Sequence, residues 1–355
     1  MEKKRYDGLD LMKAIAILMV ISLHIPLWHI NFIEHRSITR MFQYGGRLLS
    51  EGVPIFVTIN GFLMLRKSSF DLDKHLKKCA KLFGIFLFWA VVYTIVGISV
   101  RNAWSSTGIS DFFVYIFETG GKSTYTGGLW FLQWLFGVYL IFPILWYVYK
   151  NDFRLFQYFF IMLFIVNIGL NTLDLLGNII YIYDDAPSYF EMIQMIKRFA
   201  FIREPYILFF CFGGMVYHYY DEIIKRKKLI IITGILAWLT AWGYGLFISF
   251  HDLKVYNQTF NYGTICTFLI MLGWFAITSD FKADSNVASK LLVYIGKNTF
   301  VFYIYHKLLV NVIKAIRPEL MINHRFIIYG ITIIFCLVMT WVVNKVSVLS
   351  KLTAL

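Results

Sequence analysis

Charged residues are scarce in this chain. They make up 15% of its 355 residues, whereas hydrophobic residues make up 59% and the mean hydropathy is +0.64. A soluble globular domain carries about 25% charged residues, so this composition excludes an ordinary soluble protein. It predicts an all-α integral membrane protein, in which each apolar run of about 20 residues crosses the bilayer.

Cysteine is also rare, and its distribution argues against two kinds of site. The four cysteines stand singly, and no pair has the spacing of metal ligands. We therefore expect no disulfide framework, no zinc site and no bound metal. Repeats and proline-rich linkers are missing too, so we predict one transmembrane domain over residues 1–355 with no fused extracytoplasmic domain. The first apolar run lacks a cleavage pattern and should remain as a membrane anchor.

Hydrophobic runs predict about ten transmembrane helices. Two of these are weaker candidates, because the sixth is short and contains Gly213 and Gly214, and because His306 and Lys307 interrupt the ninth. The predicted spans are roughly residues 11–31, 48–66, 81–100, 128–149, 154–173, 205–220, 229–250, 258–279, 290–312 and 325–348.

Basic residues concentrate in alternate loops, and this orients the predicted helices. By the positive-inside rule these loops face the cytoplasm, which places both termini inside. The same rule accounts for much of the net charge of +13, so nucleic acid is not expected as a partner. The opposite loops, 101–127 and 174–204, are longer, and residues 188–202 are predicted to form an amphipathic surface helix. The cytoplasmic basic groups are Lys3, Lys4, Arg5, Arg66, Lys67, Lys74, Lys77, Lys78, Lys81, Lys150, Lys225, Arg226, Lys227, Lys228, Lys282, Lys290 and Lys351.

A lysine and a histidine interrupt the first apolar run. Lys13 and His24 stand eleven positions apart, so a helix places them on one face and about 16 Å apart along its axis. Lys13 is predicted to pair with Asp10, three residues earlier. It is either a membrane-edge anchor or a ligand-binding cation. His24 is either a packing residue or a catalytic one, acting as general base toward a hydroxyl or as a transient acyl carrier.

The second predicted span contributes four further candidates. Glu51, near its outer end, is either a solvated carboxylate or a catalytic group that orients a protonated histidine or an acceptor hydroxyl. Asn60 is a small polar residue that lets helices approach closely or opens a cavity. Arg66 and Lys67 lie at the cytoplasmic end, where with Lys13 they suit the phosphates of a cofactor, although the positive-inside rule also explains them.

Aromatic residues and a second imidazole complete the candidate set. Trp130 and Trp134 lie one turn apart, and they form either part of an interfacial aromatic belt or a platform for a sugar ring. His306, in a late apolar run, is again either a packing residue or a catalytic one.

Four motifs, in order along the chain, resemble those of the acyltransferase-3 family of membrane acyltransferases. The first, a basic residue followed by ten residues and a histidine, is moderately specific by itself. The four together are strongly specific, and the resemblance covers nearly the whole chain. They are Lys13-X10-His24 after Gly8-Leu9-Asp10, Pro54-Ile55-Phe56-Val57-Thr58-Ile59-Asn60-Gly61-Phe62, Trp130-Phe131-Leu132 and Tyr303-X2-His306.

The resemblance implies transfer of an acyl group, usually acetyl, from acyl-CoA to a hydroxyl of a cell-envelope glycan or lipid-linked sugar. It implies a multi-pass protein of the bacterial cytoplasmic membrane, surrounded by membrane lipids, with acetyl-CoA as cosubstrate. The family's catalytic histidine corresponds to His24 and its basic motif residue to Lys13. The sequence does not fix whether the chain forms a homo-oligomer.

Three positions depart from the family pattern. Lys13 stands where arginine is commoner, which keeps the charge and loses the two-pronged guanidinium. Asn60 stands where serine is usual, and Gly128 stands where some members have histidine.

Two other functions compete with catalysis. The chain could export a glycan or lipid intermediate along its polar groups, although the repeated halves typical of transporters are missing from the sequence. It could also pass acyl groups to a separate secreted transferase.

Overall fold

The computed structural model describes residues 7–28, 31–117, 125–184, 205–252, 262–283 and 286–353, and these residues are helical with no strand. A π-helical turn at Ile165–Gly169 joins α8 to α9. The helices are α1 Asp7–His24, α2 Phe32–His35, α3 Ile38–Leu48, α4 Gly52–Leu65, α5 Leu72–Val100, α6 Ile109–Phe117, α7 Trp130–Asn151, α8 Phe153–Phe164, α9 Leu170–Asp184, α10 Pro205–His218, α11 Tyr220–Lys225, α12 Lys227–His251, α13 Ile265–Thr278, α14 Val287–Lys297, α15 Thr299–Ile316, α16 Pro318–Asn323, α17 Arg325–Lys345 and α18 Ser347–Thr353.

The described helices are apolar enough for a multi-pass membrane protein. Seven helical segments have the length and hydropathy of a membrane span, and α10 and α13 are shorter apolar helices. Large apolar side chains also point outward; on α17, for example, Phe326, Ile331 and Trp341 are exposed. Soluble monomers rarely expose such surfaces, whereas lipid solvates them. The all-helical membrane class is therefore confirmed, while the count of about ten and the cytoplasmic termini stay predictions.

Contacts divide the chain into two compact units. The first comprises residues 1–16, 28–67 and 145–286, and the second comprises residues 17–27, 68–144 and 287–355. Helices α1 and α7 each contribute residues to both units.

In the first unit, α4 packs closely against α10. Glycine permits this approach, because a Cβ on Gly61 would lie 1.9 Å from the carbonyl oxygen of Phe210. A Cβ on Gly213 would lie 2.1 Å from the carbonyl oxygen of Thr58. Small residues at such crossings are typical of membrane helix pairs, so the short sixth predicted span is a packed helix whose glycines lie at its contact with α4.

Tryptophan side chains join α12 and α13 to α3 in the same unit. The indoles of Trp238 and Trp242 donate to the backbone carbonyls of Gly45 and Met41, at 2.7 and 2.9 Å. Trp274 of α13 donates to the carbonyl of Leu49 at 3.1 Å. These bonds satisfy indole groups that would otherwise be costly to bury.

In the second unit, α15 packs against α17 and α5. Tyr329 of α17 donates a hydrogen bond to the carbonyl of Leu18 at 3.1 Å, which ties the C-terminal half of α1 to α17. Tyr93 of α5 is buried and donates to the carbonyl of Ile304 in α15. These contacts fix the neighbourhood of His24 and His306.

Several helix boundaries differ from the predicted ones. The first apolar helix runs from Asp7 to His24, so His24 is its last residue. The second predicted span is preceded by α3, and the chain turns at residues 49–51 before α4 begins. Residues 101–127 contain helix α6, and α9 extends into the predicted loop 174–204. The predicted surface helix at 188–202 lies outside the described residues.

The expectation that His306 and Lys307 interrupt the ninth span is wrong. Helix α15 continues through both residues, because the Nδ1 atom of His306 bonds to the carbonyl of Phe302 one turn earlier, at 2.7 Å. The break lies at Asn298, whose side-chain amide donates to the carbonyl of Tyr294 at 2.8 Å. Asparagine side chains that bond to nearby backbone groups compete with helix continuation.

Candidate functional site

The second unit brings His24 into contact with α15. The Nζ atom of Lys307 lies 3.3 Å from Nδ1 of His24, and the ring centroids of His24 and His306 are 5.4 Å apart. Both helices that carry these residues are held in place by hydrogen bonds, α1 by a bond from α17 and α15 by a bond from α5. Two imidazoles and an amine thus lie together inside a predominantly apolar unit, where polar side chains usually mark function.

The hydrogen bonding of His306 determines its tautomer. Its Nδ1 atom lies 2.7 Å from a carbonyl oxygen, which can only accept, so Nδ1 carries the proton. The ring is 1% exposed, and its Nε2 atom has no hydrogen-bond partner among the described residues. Buried polar atoms are usually satisfied. In the neutral imidazole Nε2 therefore presents a free lone pair that a hydroxyl or another donor could use.

Gly128 makes room for Lys307. A Cβ at this position would lie 2.3 Å from Cγ of Lys307, well inside van der Waals contact. The carbonyl of Gly128 accepts a hydrogen bond from the hydroxyl of Tyr303 at 2.6 Å, which anchors the turn before α7 to α15. The departure from the family pattern at this position thus has a structural reason, because the lysine stem occupies the space beside the glycine.

The two candidate tryptophans belong to the same aromatic neighbourhood. Phe131 stacks on Trp134 with ring centroids 5.9 Å apart and contacts Tyr303 edge-on at 5.8 Å. Trp130 packs against Phe131 at 6.0 Å. Since Tyr303 and His306 are one turn apart on α15, the aromatic residues that open α7 lie beside the helix that carries the second imidazole.

The candidate cofactor-binding residues lie in the first unit. Lys13 forms an ion pair with Asp10 at 2.9 Å, which confirms the predicted pairing across one helical turn. Asn60 donates to the carbonyl of Phe56 at 3.0 Å, within its own helix. Arg66 caps the C-terminus of α4, and Lys67 follows it in an exposed position. The role of these residues in binding a phosphate-bearing cofactor stays a prediction.

Glu51 also belongs to the first unit, at the turn before α4. It is 4% exposed, so the expectation of a solvated carboxylate is wrong. Its Oε2 atom has no hydrogen-bond donor within the part of the chain that the structure describes. The predicted role in orienting a protonated histidine is untested.

Lys307 is the site residue that the sequence interpretation missed. Hydropathy treats it only as an interruption of the ninth span, although a lysine inside an apolar run is itself a signal of function. Its partner could not be found from spacing, because 283 positions separate it from His24. Elsewhere in the described residues, no three His, Cys, Asp or Glu side chains group as metal ligands.

Comparison with known families decides what kind of protein carries this site. The sequence model of the acyltransferase-3 family, described as an acyltransferase domain, matches residues 6–344. The chain belongs to the acyltransferase-3 family. It is therefore a membrane acyltransferase, and its His24 and Lys307 lie within the matched region. No curated protein and no solved structure matches the chain significantly.

Proposed function

We propose that this acyltransferase-3 protein is a membrane O-acyltransferase with His24 as its reactive residue. The donor is acyl-CoA, in particular acetyl-CoA, and the acceptor is a hydroxyl of a cell-envelope glycan or glycolipid. The observation that carries the proposal is the position of His24, in contact with Lys307 and beside Nε2 of His306, which has no partner among the described residues. We further propose that the acceptor lies in the bacterial cell envelope at the cytoplasmic membrane, as for the enterobacterial common antigen O-acetyltransferase, whose motifs the chain resembles.

The reaction needs a group that removes a proton from the acceptor hydroxyl. In the base route, an imidazole nitrogen takes that proton as the hydroxyl oxygen forms a bond to the thioester carbonyl. The C–S bond then breaks, and the imidazolium returns the proton to the CoA thiolate. Lys307 holds Nδ1 of His24, so Nε2 is the nitrogen that faces the reactants.

A second route uses the same nitrogen as a nucleophile. Nε2 attacks the thioester, the CoA thiolate leaves, and the acyl group is carried on His24 until the acceptor hydroxyl takes it. His306 suits this route as the base toward the hydroxyl, because its Nε2 lone pair is free within the described structure.

Donor and acceptor are assigned to different groups of residues. We place the CoA phosphates near Lys13, Arg66 and Lys67, with Asn60 lining the same site. We place the acceptor sugar on the aromatic residues Trp130 and Trp134, since indole faces bind sugar rings and Phe131 links them to Tyr303.

The test is acyl transfer by purified protein in lipid nanodiscs, with radiolabelled acetyl-CoA and membrane glycolipid extract. His24→Ala should abolish labelling of the glycan, and His306→Gln should reduce it by about 10² or more. The matched control His251→Ala removes an exposed histidine at the end of α12 and should change nothing.

Labelling in the absence of acceptor separates the two routes. The acyl-carrier route predicts label on the wild-type protein and none on His24→Ala. Full glycan labelling by His24→Ala would contradict both routes. Label that reaches glycan only after a second, secreted protein is added would instead identify an acyl shuttle.

A further inference from the structure

The protonation state of Lys307 matters for the chemistry above, because its amine is in direct contact with His24. Its amine lies 3.3 Å from Nδ1, and the space for its stem exists because position 128 is glycine. The contact can take two forms. An ammonium group can only donate to Nδ1, which leaves the histidine proton on Nε2. A neutral amine has a lone pair and can accept a hydrogen bond from Nδ1–H, which leaves a lone pair on Nε2.

Only one of these forms permits catalysis by His24. The base route needs a lone pair on Nε2 to take the hydroxyl proton, and the acyl-carrier route needs the same lone pair to attack the thioester. Nδ1 cannot serve instead, because Lys307 occupies it. An ammonium at position 307 would therefore hold His24 in the unreactive tautomer.

The surroundings of Lys307 favour the neutral amine. Among the described residues Lys307 has no carboxylate partner, whereas Lys13, Lys74 and Lys227 each form an ion pair. Lys307 is half-buried, and a lysine that is partly removed from water without a counter-ion is costly as a cation.

The other charged or titratable groups that face this site also favour the neutral amine. His24 comes from α1, and Tyr303, His306 and Lys314 come from α15. Lys314 lies two turns beyond Lys307 on the same helical face. A second cation beside the first raises the cost of charging Lys307, and no group in this set supplies a negative charge at neutral pH.

We propose that Lys307 is a positioning residue that, as a neutral amine, accepts a hydrogen bond from Nδ1–H of His24 and so keeps the lone pair on Nε2. This inference rests on the proposed function of His24. When Nε2 takes the hydroxyl proton, the imidazolium that forms keeps its Nδ1–H bond to the amine nitrogen. The proton then passes from Nε2 to the leaving thiolate, so Lys307 itself ends unchanged.

The decisive comparison is between Lys307→Arg and Lys307→Gln. Arginine stays charged and can only donate, whereas the side-chain carbonyl of glutamine can accept from Nδ1–H. We expect acetyl transfer to fall by about 10² or more in Lys307→Arg, and Lys307→Gln to be at least about tenfold more active than Lys307→Arg. An arginine variant as active as the glutamine variant, or more so, would overturn the proposal.

A readout that needs no turnover keeps this test separate from the proposed function. Nitrogen-15 spectra of histidine-labelled protein, with and without His24→Ala, identify the two nitrogen signals of His24. We expect the proton on Nδ1 in the wild type and on Nε2 in Lys307→Arg. A wild-type proton on Nε2 would overturn the role of Lys307 even if the protein transfers acetyl groups. A correct tautomer without any transfer would instead count against the proposed function.

Discussion

Replacing Gly128 with alanine should disable the site without touching any side chain that reacts. The added Cβ would lie 2.3 Å from Cγ and 3.1 Å from Cβ of Lys307, whereas ordinary contacts begin at 3.4 Å. The lysine stem must therefore move by about 1 Å near its backbone, where it has little freedom to adapt. Since Nζ already lies 3.3 Å from His24, such a shift takes the amine out of hydrogen-bond range.

The expected cost has two parts. Overpacking a buried position destabilises a protein by about 1–3 kcal/mol, which leaves the variant folded in a stable background. Loss of the amine at Nδ1 should lower acetyl transfer by about 10² or more, the typical share of a positioned acid–base group. The glycine has no positive φ, so alanine adds no backbone strain and the effect is steric.

In nanodiscs, the melting temperature measures the loss of stability and the acetyl-transfer rate measures the loss of activity. Gly137→Ala, on α7 with nothing within 4 Å of the added Cβ, is the control and should behave as wild type. A double mutant provides the stricter test, because Lys307→Ala removes the Cγ atom that clashes. We expect Gly128→Ala to have little further effect in that background. A Gly128→Ala protein with wild-type activity, or additive losses in the double mutant, would refute this reasoning.

Three further predictions concern stability. Gly213→Ala should lower the melting temperature sharply, because its Cβ would lie 2.1 Å from a backbone atom of α4. The control Gly330→Ala, with open space around the added Cβ, should leave the melting temperature unchanged. Equal melting temperatures of the two variants would contradict the close crossing of α4 and α10. Tyr303→Phe should cost about 1–3 kcal/mol in chemical unfolding by leaving a backbone carbonyl unsatisfied, and a neutral result would contradict it. The hydrogen bond from Lys227 at 2.6 Å lowers the pKa of Asp280. The contribution of this pair to folding stability is therefore complete above the unfolded carboxyl pKa of about 3.9. It is lost as pH falls through the lower folded value. Since this pair is exposed, Asp280→Asn should cost no more than about 1 kcal/mol at pH 7 and less at pH 3, and a larger loss at pH 3 would contradict the assignment.

Composition and local pattern were sufficient for the class of the protein. An apolar chain with few charges has no soluble alternative, and its runs have the length of membrane helices. The pairing of Asp10 with Lys13 was also predictable, because residues three apart on a helix are neighbours whatever surrounds them. The resemblance to the acyltransferase-3 family rests on short motifs that each lie on one helix.

The breaks between helices were harder to predict. Hydropathy did not reveal the break at Asn298, since it interrupts an apolar run without changing the average character of that run. Conversely, His306 and Lys307 are polar but leave α15 intact, because the imidazole of His306 forms a hydrogen bond with a backbone carbonyl of the preceding turn. Hydropathy measures transfer to lipid, whereas helix breaks depend on local hydrogen bonds.

The sequence by itself determined that His24 is a polar residue on an apolar helix, with Lys13 at helical spacing from it. Only the tertiary structure decided which groups meet His24. Lys307 and Gly128 are distant from it in sequence, and their contact depends on how α1, α7 and α15 pack. Spacing along one helix fixes direction because the backbone is regular. Contacts between helices depend instead on the fit of particular side chains, here a lysine stem beside a glycine.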